Sequence, residues 1–300
     1  MPTQPKVSVV IPTIEEQAVF RIIKDIRNLL GKDTEIIIVD KSSEAYYRRL
    51  VNEGVTVIRQ KDRGVERAIM HGLLAAHGKI LANIDGDGTH DVHALLDAVK
   101  MIETDKADLV LGNRLDSLEK GSMTLYIKTG NKMLSWLFSR MHHVKVHDIL
   151  VGLFAMRRSA FDEVKNIEPY RAGNVTTYAI EFADRGYRIS EVPVKYYKRS
   201  EGKSKLSRYK FSYALQAGAN IIRLARDYSP LLVFGLIGMI LLISGFVLGA
   251  FVLWNFLHTG LFNEVGRALL AFMLVVLGLL SIFVGVILDL LLEIERKLNR

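Results

Sequence analysis

The chain has 300 residues, of which 50% are hydrophobic and six are proline, and its mean hydropathy is +0.20. This composition excludes a disordered or fibrous protein and indicates that part of the chain enters a membrane. The formal net charge of +8 predicts an anionic partner, and the absence of cysteine excludes disulfides, thiolate catalysis and cysteine-ligated metals.

Apolar runs rich in β-branched residues alternate with helical patterns in the first part of the chain. This alternation predicts a parallel α/β sheet, because parallel strands need a crossover connection that is usually helical. We expect strands at residues 7–11, 36–39, 55–58, 80–84 and 109–111, and helices near residues 19–30, 45–52, 65–77 and 92–104.

Carboxylates follow several of these strands, at the sheet edge where parallel α/β proteins bind ligands. The clearest case is Asp85-Gly86-Asp87, which suits Mg²⁺ or Mn²⁺ because these ions take one or two carboxylates and fill their other positions with water and phosphate oxygens. An EF-hand does not fit, since His90 and Leu96 stand where that loop needs Gly and Glu. A simple acidic turn remains the alternative explanation of the motif taken alone.

Two long segments near the C-terminus lack Asp, Glu, Lys and Arg, at residues 228–263 and 268–288. We expect two membrane-spanning helices at about 230–257 and 268–290, because about 20 apolar residues cross a bilayer core; a pair of buried core helices is the alternative. Basic residues flank the outer ends of this hairpin, and residues 228–300 carry no net charge. The positive-inside rule therefore predicts a multi-pass membrane protein whose large N-terminal part, tail at 293–300 and both termini are cytoplasmic.

Basic residues are concentrated just before the hairpin, where residues 195–210 contain seven Lys or Arg and one Glu. We expect residues 201–228 to form a basic lid loop and an interfacial helix; a solvated loop attracted to lipid headgroups is the alternative. Residues 135–141 include Trp136 and have Lys128 and Lys132 close by. They fit a helix on the membrane surface and an ordinary amphipathic core helix equally well.

A series of short motifs runs through the chain, from IPT at Ile11 through VDKSS, GVERA, DGDGT, LGNR and HDILVG to RSEGKSK. Their order resembles the family 2 glycosyltransferases of GT-A fold, and among them the dolichyl-phosphate or polyprenyl-phosphate sugar synthases. DGDGT is most similar to archaeal members that act in protein N-glycosylation. The resemblance implies a GT-A, Rossmann-like, mostly parallel sheet domain over residues 1–200, followed by interfacial helices and a two-helix transmembrane hairpin.

The same resemblance implies roles for individual residues. Asp87 would be a direct metal ligand with Asp85 beside it, and Glu181 would face the sugar. Catalysis would involve Asp87, Arg114, Arg199 and Lys205, and the last three would also hold the acceptor phosphate together with Lys128. Contacts to the nucleotide sugar are implied for Pro12, Glu16, Asp40, Asp85, Arg67 and Glu181. The chain departs from the family pattern at Glu15, Lys41, Thr89 and Val151-Gly152-Leu153.

The function expected from the sequence is a metal-dependent, inverting transfer of one sugar from a UDP- or GDP-sugar to dolichyl or polyprenyl phosphate at the cytoplasmic membrane face, supplying lipid-linked sugar for protein glycosylation. The alternatives are a transferase acting on another lipid or a polysaccharide, and a non-catalytic nucleotide-sugar-binding scaffold. The chain lacks the QxxRW motif of processive synthases and any nucleic-acid recognition motif, so no nucleic-acid partner is expected. The sequence leaves open whether the spans associate into a homo-oligomer.

Overall fold

The computed structural model describes residues 5–61, 64–119, 122–165, 175–198, 230–260 and 264–298. The chain divides into two compact units, Met1–Ser204 and Lys205–Arg300. The first unit is an α/β domain and the second contains two long apolar helices.

The α/β domain is built on a seven-stranded sheet in the order β3-β2-β1-β4-β6-β5-β7. All neighbouring strands are parallel except at β6, which is antiparallel to both β4 and β5. The carboxyl ends of the other strands therefore share one edge with the amino end of β6. The strands are β1 Val7–Thr13, β2 Glu35–Asp40, β3 Thr56–Arg59, β4 Ile80–Asn83, β5 Leu109–Asn113, β6 Phe154–Arg157 and β7 Ile189–Pro193.

The helices cover the sheet because each has one apolar face. In α1, the fully buried side chains recur at i, i+3, i+4 and i+7, the spacing of one helix face. Asp91 begins α4 by accepting a hydrogen bond from the backbone N–H of His93. The helices of this unit are α1 Ala18–Leu30, α2 Glu44–Asn52, α3 Val65–Ala75, α4 Val92–Glu103, α5 Leu125–His142, α6 Arg158–Val164 and α7 Val175–Asp184.

The five strands and four helices expected for the first 111 residues are all present, with ends that differ by a few residues. Strands β6 Phe154–Arg157 and β7 Ile189–Pro193 were not expected. The helix expected at 135–141 is the second half of a longer one, α5. The expected lid loop and interfacial helix at 201–228 lie outside the described residues.

The second unit contains α8 Pro230–Thr259 and α9 Val265–Leu298. Within them, Val233–Thr259 and Val265–Ile294 are long and apolar enough to cross a membrane. The two helices pack through glycines: a Cβ added to Gly238 would lie 2.6 Å from the carbonyl oxygen of Gly278. Ser281 also donates a hydrogen bond to the carbonyl of Phe234 at 2.8 Å. Small residues thus allow the close backbone approach that is typical of helix pairs in membranes.

Candidate active site

The Asp85-Gly86-Asp87 turn follows β4 at the carboxyl edge of the sheet. Gly86 is buried there, and a Cβ at this position would lie 2.9 Å from the carbonyl oxygen of Pro12. The last residues of β1 and the backbone that follows β4 therefore meet directly. This contact brings two of the predicted elements, Pro12 and the carboxylate pair, to one place.

The turn is held by its own side chains. Asp87 Oδ1 accepts hydrogen bonds from the backbone N–H of Thr89 at 3.1 Å and from its hydroxyl at 2.7 Å. Thr89 is buried, whereas both carboxylates are partly exposed. The Asp87 carboxylate is thus held by Thr89, and both carboxylates remain accessible to a ligand.

Gly152, which comes just before β6, packs against the carboxylate of Asp85. A Cβ at Gly152 would lie only 2.0 Å from Asp85 Oδ2, so no other residue fits without displacing the carboxylate. The Asn83 side chain donates a hydrogen bond to the Gly152 carbonyl at 2.6 Å and holds this loop against β4. The antiparallel direction of β6 places this glycine at the site.

His90 lies buried behind the carboxylate pair. Its Nδ1 is 3.7 Å from Asp85 Oδ2, and its Nε2 has no hydrogen-bond partner among the described residues. Burial lowers the pKa of His90 to about 4, and the positive charge of Arg114 acts in the same direction. The imidazole is therefore neutral near pH 7 and does not neutralise the carboxylates.

Arg114 is buried and forms a bidentate ion pair with Asp148. Its Nε and Nη2 donate to the two carboxylate oxygens at 2.7 and 2.9 Å, and its backbone N–H donates at 3.0 Å. Burial alone would raise the pKa of Asp148, but the hydrogen bonds and charge of Arg114, with a bond from Asn131, lower it. Arg114 Nη2 also donates to the Leu150 carbonyl. Arg114, which the sequence predicts to bind phosphate, is thus held rigidly in a buried ion pair with Asp148.

Tyr196 connects this pair to the carboxylate turn. The guanidinium carbon of Arg114 lies 5.3 Å from the centre of the Tyr196 ring, and the ring of His90 packs edge-on at 5.2 Å. The backbone around Tyr196 bonds both loops, because Tyr197 N–H donates to the Thr89 carbonyl and Tyr196 N–H to the Ser117 carbonyl. The segment that precedes the predicted lid is therefore attached to both sides of the site.

Asp40, expected to contact the nucleotide, lies fully buried at the end of β2. Its Oδ2 accepts a hydrogen bond from Arg59 at 2.9 Å, and its Oδ1 accepts one from the Ser42 backbone N–H at 3.1 Å. The guanidinium of Arg59 also lies over the ring of Tyr47, 4.3 Å from its centre. A nucleotide contact at Asp40 would thus involve a carboxylate that is already paired with Arg59.

The remaining predicted residues are distributed around the domain. Glu16 follows β1, and its carbonyl accepts a hydrogen bond from the Tyr46 hydroxyl at 2.5 Å. Arg67 lies exposed in the first turn of α3, and Lys128 lies half-buried on α5. Glu181 lies on α7 and pairs with Arg185 one turn further along. Arg199 and Lys205 lie outside the described residues.

The donors present fit a hard divalent cation. Asp85 and Asp87 supply carboxylate oxygens, and among the described bonds Thr89 occupies only one of the two oxygens of Asp87. The described residues contain no group of three or more His, Asp or Glu arranged to hold a metal. Two carboxylates without a closed cage are what Mg²⁺ and Mn²⁺ use when substrate phosphates complete the shell.

Sequence reasoning missed Arg59, Asn131, His90 and Tyr196 as parts of this region. No local pattern marks Arg59 or Asn131, since their partners lie 19 and 17 residues away. A signal existed for His90, because a histidine directly after DGDGT sits on the loop that carries the carboxylates. For Tyr196 the only available signal was an aromatic pair beside a basic segment.

Comparisons with known proteins agree with this geometry. The sequence profile of glycosyl transferase family 2 matches residues 8–165. The chain is 27% identical to glycosyltransferase AglJ of Haloferax volcanii, over 99% of this chain and 97% of that protein. It is 29% identical to a dolichyl-phosphate hexose transferase of the same organism, over 71% of this chain and 90% of that protein.

The fold is also that of solved glycosyltransferases. The glucosyl-3-phosphoglycerate synthase of Mycobacterium tuberculosis, solved in complex with Mg²⁺ and UDP, matches with a TM-score of 0.53 and 18% identity over 73% of this chain and 79% of that one. The α/β unit therefore has a GT-A-like fold. Because the family profile covers more than half of its length, the chain belongs to glycosyl transferase family 2.

Proposed function

We propose that this chain transfers one sugar from a UDP- or GDP-sugar to dolichyl or polyprenyl phosphate at the cytoplasmic face of a membrane, with inversion at the anomeric carbon. Membership of family 2 supports sugar transfer, and the similarity to a dolichyl-phosphate hexose transferase supports the acceptor. The two apolar helices support a membrane location, and the basic residues outside them support the orientation.

The observation that carries the proposal is the carboxylate pair of Asp85 and Asp87 at the sheet edge, with the buried Arg114–Asp148 pair beside it. A divalent cation bound by the two carboxylates would supply positive charge to the nucleotide diphosphate as it leaves. Asp85 is kept in place by Gly152, and Asp87 by Thr89. Both residues are thus preorganised to hold ligands without rearrangement.

In the proposed reaction, an oxygen of the lipid phosphate attacks the anomeric carbon of the sugar. The bond between that carbon and the nucleotide diphosphate breaks, and the diphosphate takes the electron pair. No strong base is needed, because a phosphate monoester is largely ionised at pH 7. The remaining obstacle is the meeting of two anions, and the charge of Arg114, together with Arg199 and Lys205, would reduce their repulsion.

The test is to incubate the full chain, reconstituted in vesicles, with radiolabelled UDP- and GDP-hexoses, dolichyl phosphate and Mg²⁺ or Mn²⁺, and to identify the lipid product by mass spectrometry. We expect one sugar per lipid with one donor, loss of product with EDTA, and at least a hundredfold loss in Asp87→Ala. Asp97→Asn is the matched control, because Asp97 is an exposed carboxylate on α4 of the same domain.

Two outcomes would contradict the proposal. Full activity of Asp87→Ala would exclude the assigned role of the carboxylate pair. Calorimetric binding of UDP or GDP without turnover on any lipid phosphate would indicate a nucleotide-sugar-binding scaffold instead of a transferase.

A further inference from the structure

His90 is a buried polar residue to which the proposed reaction gives no role. Its side chain is 1% exposed, and its Nε2 has no hydrogen-bond partner among the described residues. The backbone beside it is fixed, since the Asp91 N–H donates to the Lys195 carbonyl at 3.3 Å. A buried nitrogen without a partner lowers stability and is unusual in a folded protein, so its position beside the two carboxylates indicates a role at the site.

The other ring nitrogen of His90 faces two oxygen atoms of the candidate active site. Nδ1 lies 3.3 Å from the hydroxyl oxygen of Thr89 and 3.7 Å from Oδ2 of Asp85. The Thr89 hydroxyl donates its hydrogen to Asp87 Oδ1 at 2.7 Å, so toward His90 its oxygen can only accept. A carboxylate oxygen is an acceptor as well. Nδ1 therefore carries a hydrogen, in the neutral and in the protonated ring alike.

These contacts form a chain of two hydrogen bonds that ends on Asp87. Nδ1–H of His90 donates to the Thr89 hydroxyl, which donates to Asp87 Oδ1. A hydroxyl hydrogen can rotate, and a donor on the hydroxyl oxygen favours the rotamer in which that hydrogen points away from the donor, here to Asp87. Residues that orient metal ligands in this way contribute strongly to metal affinity.

We propose that His90 is a positioning residue for the cation site: its Nδ1–H fixes the Thr89 hydroxyl, and that hydroxyl holds Oδ1 of Asp87 so that the second oxygen is left for the cation. The inference rests on the proposed function, because it takes the cation to bind at Asp85 and Asp87. His90 itself transfers no proton and does not touch the cation. The ring supplies one donor at one position, which distinguishes it from a histidine that only fills space.

Amide side chains separate the two ring nitrogens. The Asn side-chain nitrogen is as many bonds from Cβ as Nδ1, whereas the Gln nitrogen is as far as Nε2, so only His90→Asn keeps a donor toward Thr89. Mn²⁺ binding to the full chain in detergent is measured by electron paramagnetic resonance, without nucleotide and then with UDP or GDP. We expect His90→Asn to stay within about threefold of the unaltered affinity and His90→Gln to lose at least about tenfold. His93→Gln, at an exposed histidine of α4, is the matched control and should leave the affinity unchanged.

Two further measurements show whether His90 acts through Thr89. Thr89→Val removes the hydroxyl and keeps the backbone N–H, so the addition of His90→Gln should then cause no further loss of affinity. Nitrogen-15 magnetic resonance of the histidine-labelled chain, without any substitution that could disturb folding, should show a hydrogen on Nδ1 of His90, with the signal identified by its loss in His90→Asn. Urea unfolding of each variant separates a loss of affinity from a loss of folding.

Three results would overturn the proposal: equal Mn²⁺ affinities of the Asn and Gln variants, a loss from His90→Gln that is the same without the Thr89 hydroxyl, or a ring hydrogen on Nε2 alone. If these occur while Asp87→Ala still abolishes Mn²⁺ binding, the proposed function stands and only the role of His90 is wrong. If the unaltered chain binds Mn²⁺ no better than Asp87→Ala, the cation site of the proposed function is wrong and this inference is overturned with it.

Discussion

Replacement of Asp148 by asparagine should destabilise the α/β domain strongly, because the change leaves a buried arginine without its counter-charge. Asp148 accepts three hydrogen bonds from Arg114 and one from Asn131, at 2.5–3.0 Å, and is fully buried. Removal of one partner from a buried ion pair costs about 3–5 kcal/mol. Whole domains are stable by about 5–15 kcal/mol, so this loss is readily measured.

The assay is urea unfolding of the full chain in detergent, in the Trp254→Phe background, where Trp136 on α5 reports on the helix that carries Asn131. We expect Asp148→Asn to lower the free energy of unfolding by at least about 3 kcal/mol. The double variant Arg114→Met with Asp148→Leu removes both charges and should recover most of this stability, but not the proposed transferase activity. Glu44→Gln, which weakens exposed pairs with Arg48 and Arg59, is the control and should leave the free energy of unfolding almost unchanged, because exposed ion pairs are screened by solvent.

Two results would refute the reasoning. A cost below about 1 kcal/mol for Asp148→Asn would mean that the pair is solvated and contributes no more than a surface ion pair. A double variant less stable than Asp148→Asn would mean that the loss arises from packing and not from an unpaired charge.

Three further predictions follow from contacts elsewhere in the chain. Gly152→Ala should displace the Asp85 carboxylate, because the added Cβ would lie 2.0 Å from Asp85 Oδ2. We expect the affinity for Mn²⁺ to fall at least tenfold, as measured by electron paramagnetic resonance. Hydrogen bonds from Arg188 lower the pKa of Asp108 to about 2, below its ordinary value of 3.8. This pair should therefore stabilise the domain above pH 4 and lose that contribution as the pH falls from 4 to 2, and Asp108→Asn should flatten the stability profile in that window. Gly278→Val should force α9 away from Gly238, and we expect lower thermal stability of the hairpin in detergent by circular dichroism.

Each of these predictions has an outcome that contradicts it. Gly266→Ala is the control for the first, because among the described residues no atom would lie within 4 Å of the added Cβ; equal Mn²⁺ affinities in the two alanine variants would show that Gly152 does not shape the site. If the stability of Asp108→Asn falls between pH 4 and 2 as it does in the unaltered chain, the Asp108 pair is not the source of the loss of stability in acid. Unchanged melting of Gly278→Val would show that the two helices separate without cost at that point.

The helices and strands of the first 111 residues could be predicted from the sequence because each has a clear period and length. The carboxylate turn could also be located, since it follows a strongly apolar strand. The position of β6 could not be predicted, because nothing in the local sequence indicates that this strand runs antiparallel between β4 and β5.

The ion-pair partners of the predicted charged residues could not be predicted either, because they lie far away in the sequence. Arg114 looked like a free phosphate ligand, but its partner Asp148 is 34 residues away in the loop before β6. Asp40 looked like an open nucleotide contact, but Arg59 reaches it from the end of the next strand. Pairings of this kind depend on the sheet order, which the local sequence does not contain.

The reversed strand β6 has a practical consequence for how this domain can be modified. Because β6 runs in the opposite direction, the segment that precedes it lies at the same edge of the sheet as the segments that follow the other strands. Nearly all the described polar residues of the candidate active site therefore lie at that edge. The turn at Gly31, Lys32 and Asp33, which leads into β2, lies at the other edge and is exposed, and an added Cβ at Gly31 would meet no described atom within 4 Å. An affinity tag or a fluorescent domain inserted there would leave the carboxylate turn and the Arg114–Asp148 pair intact, and would allow the full chain to be purified and imaged.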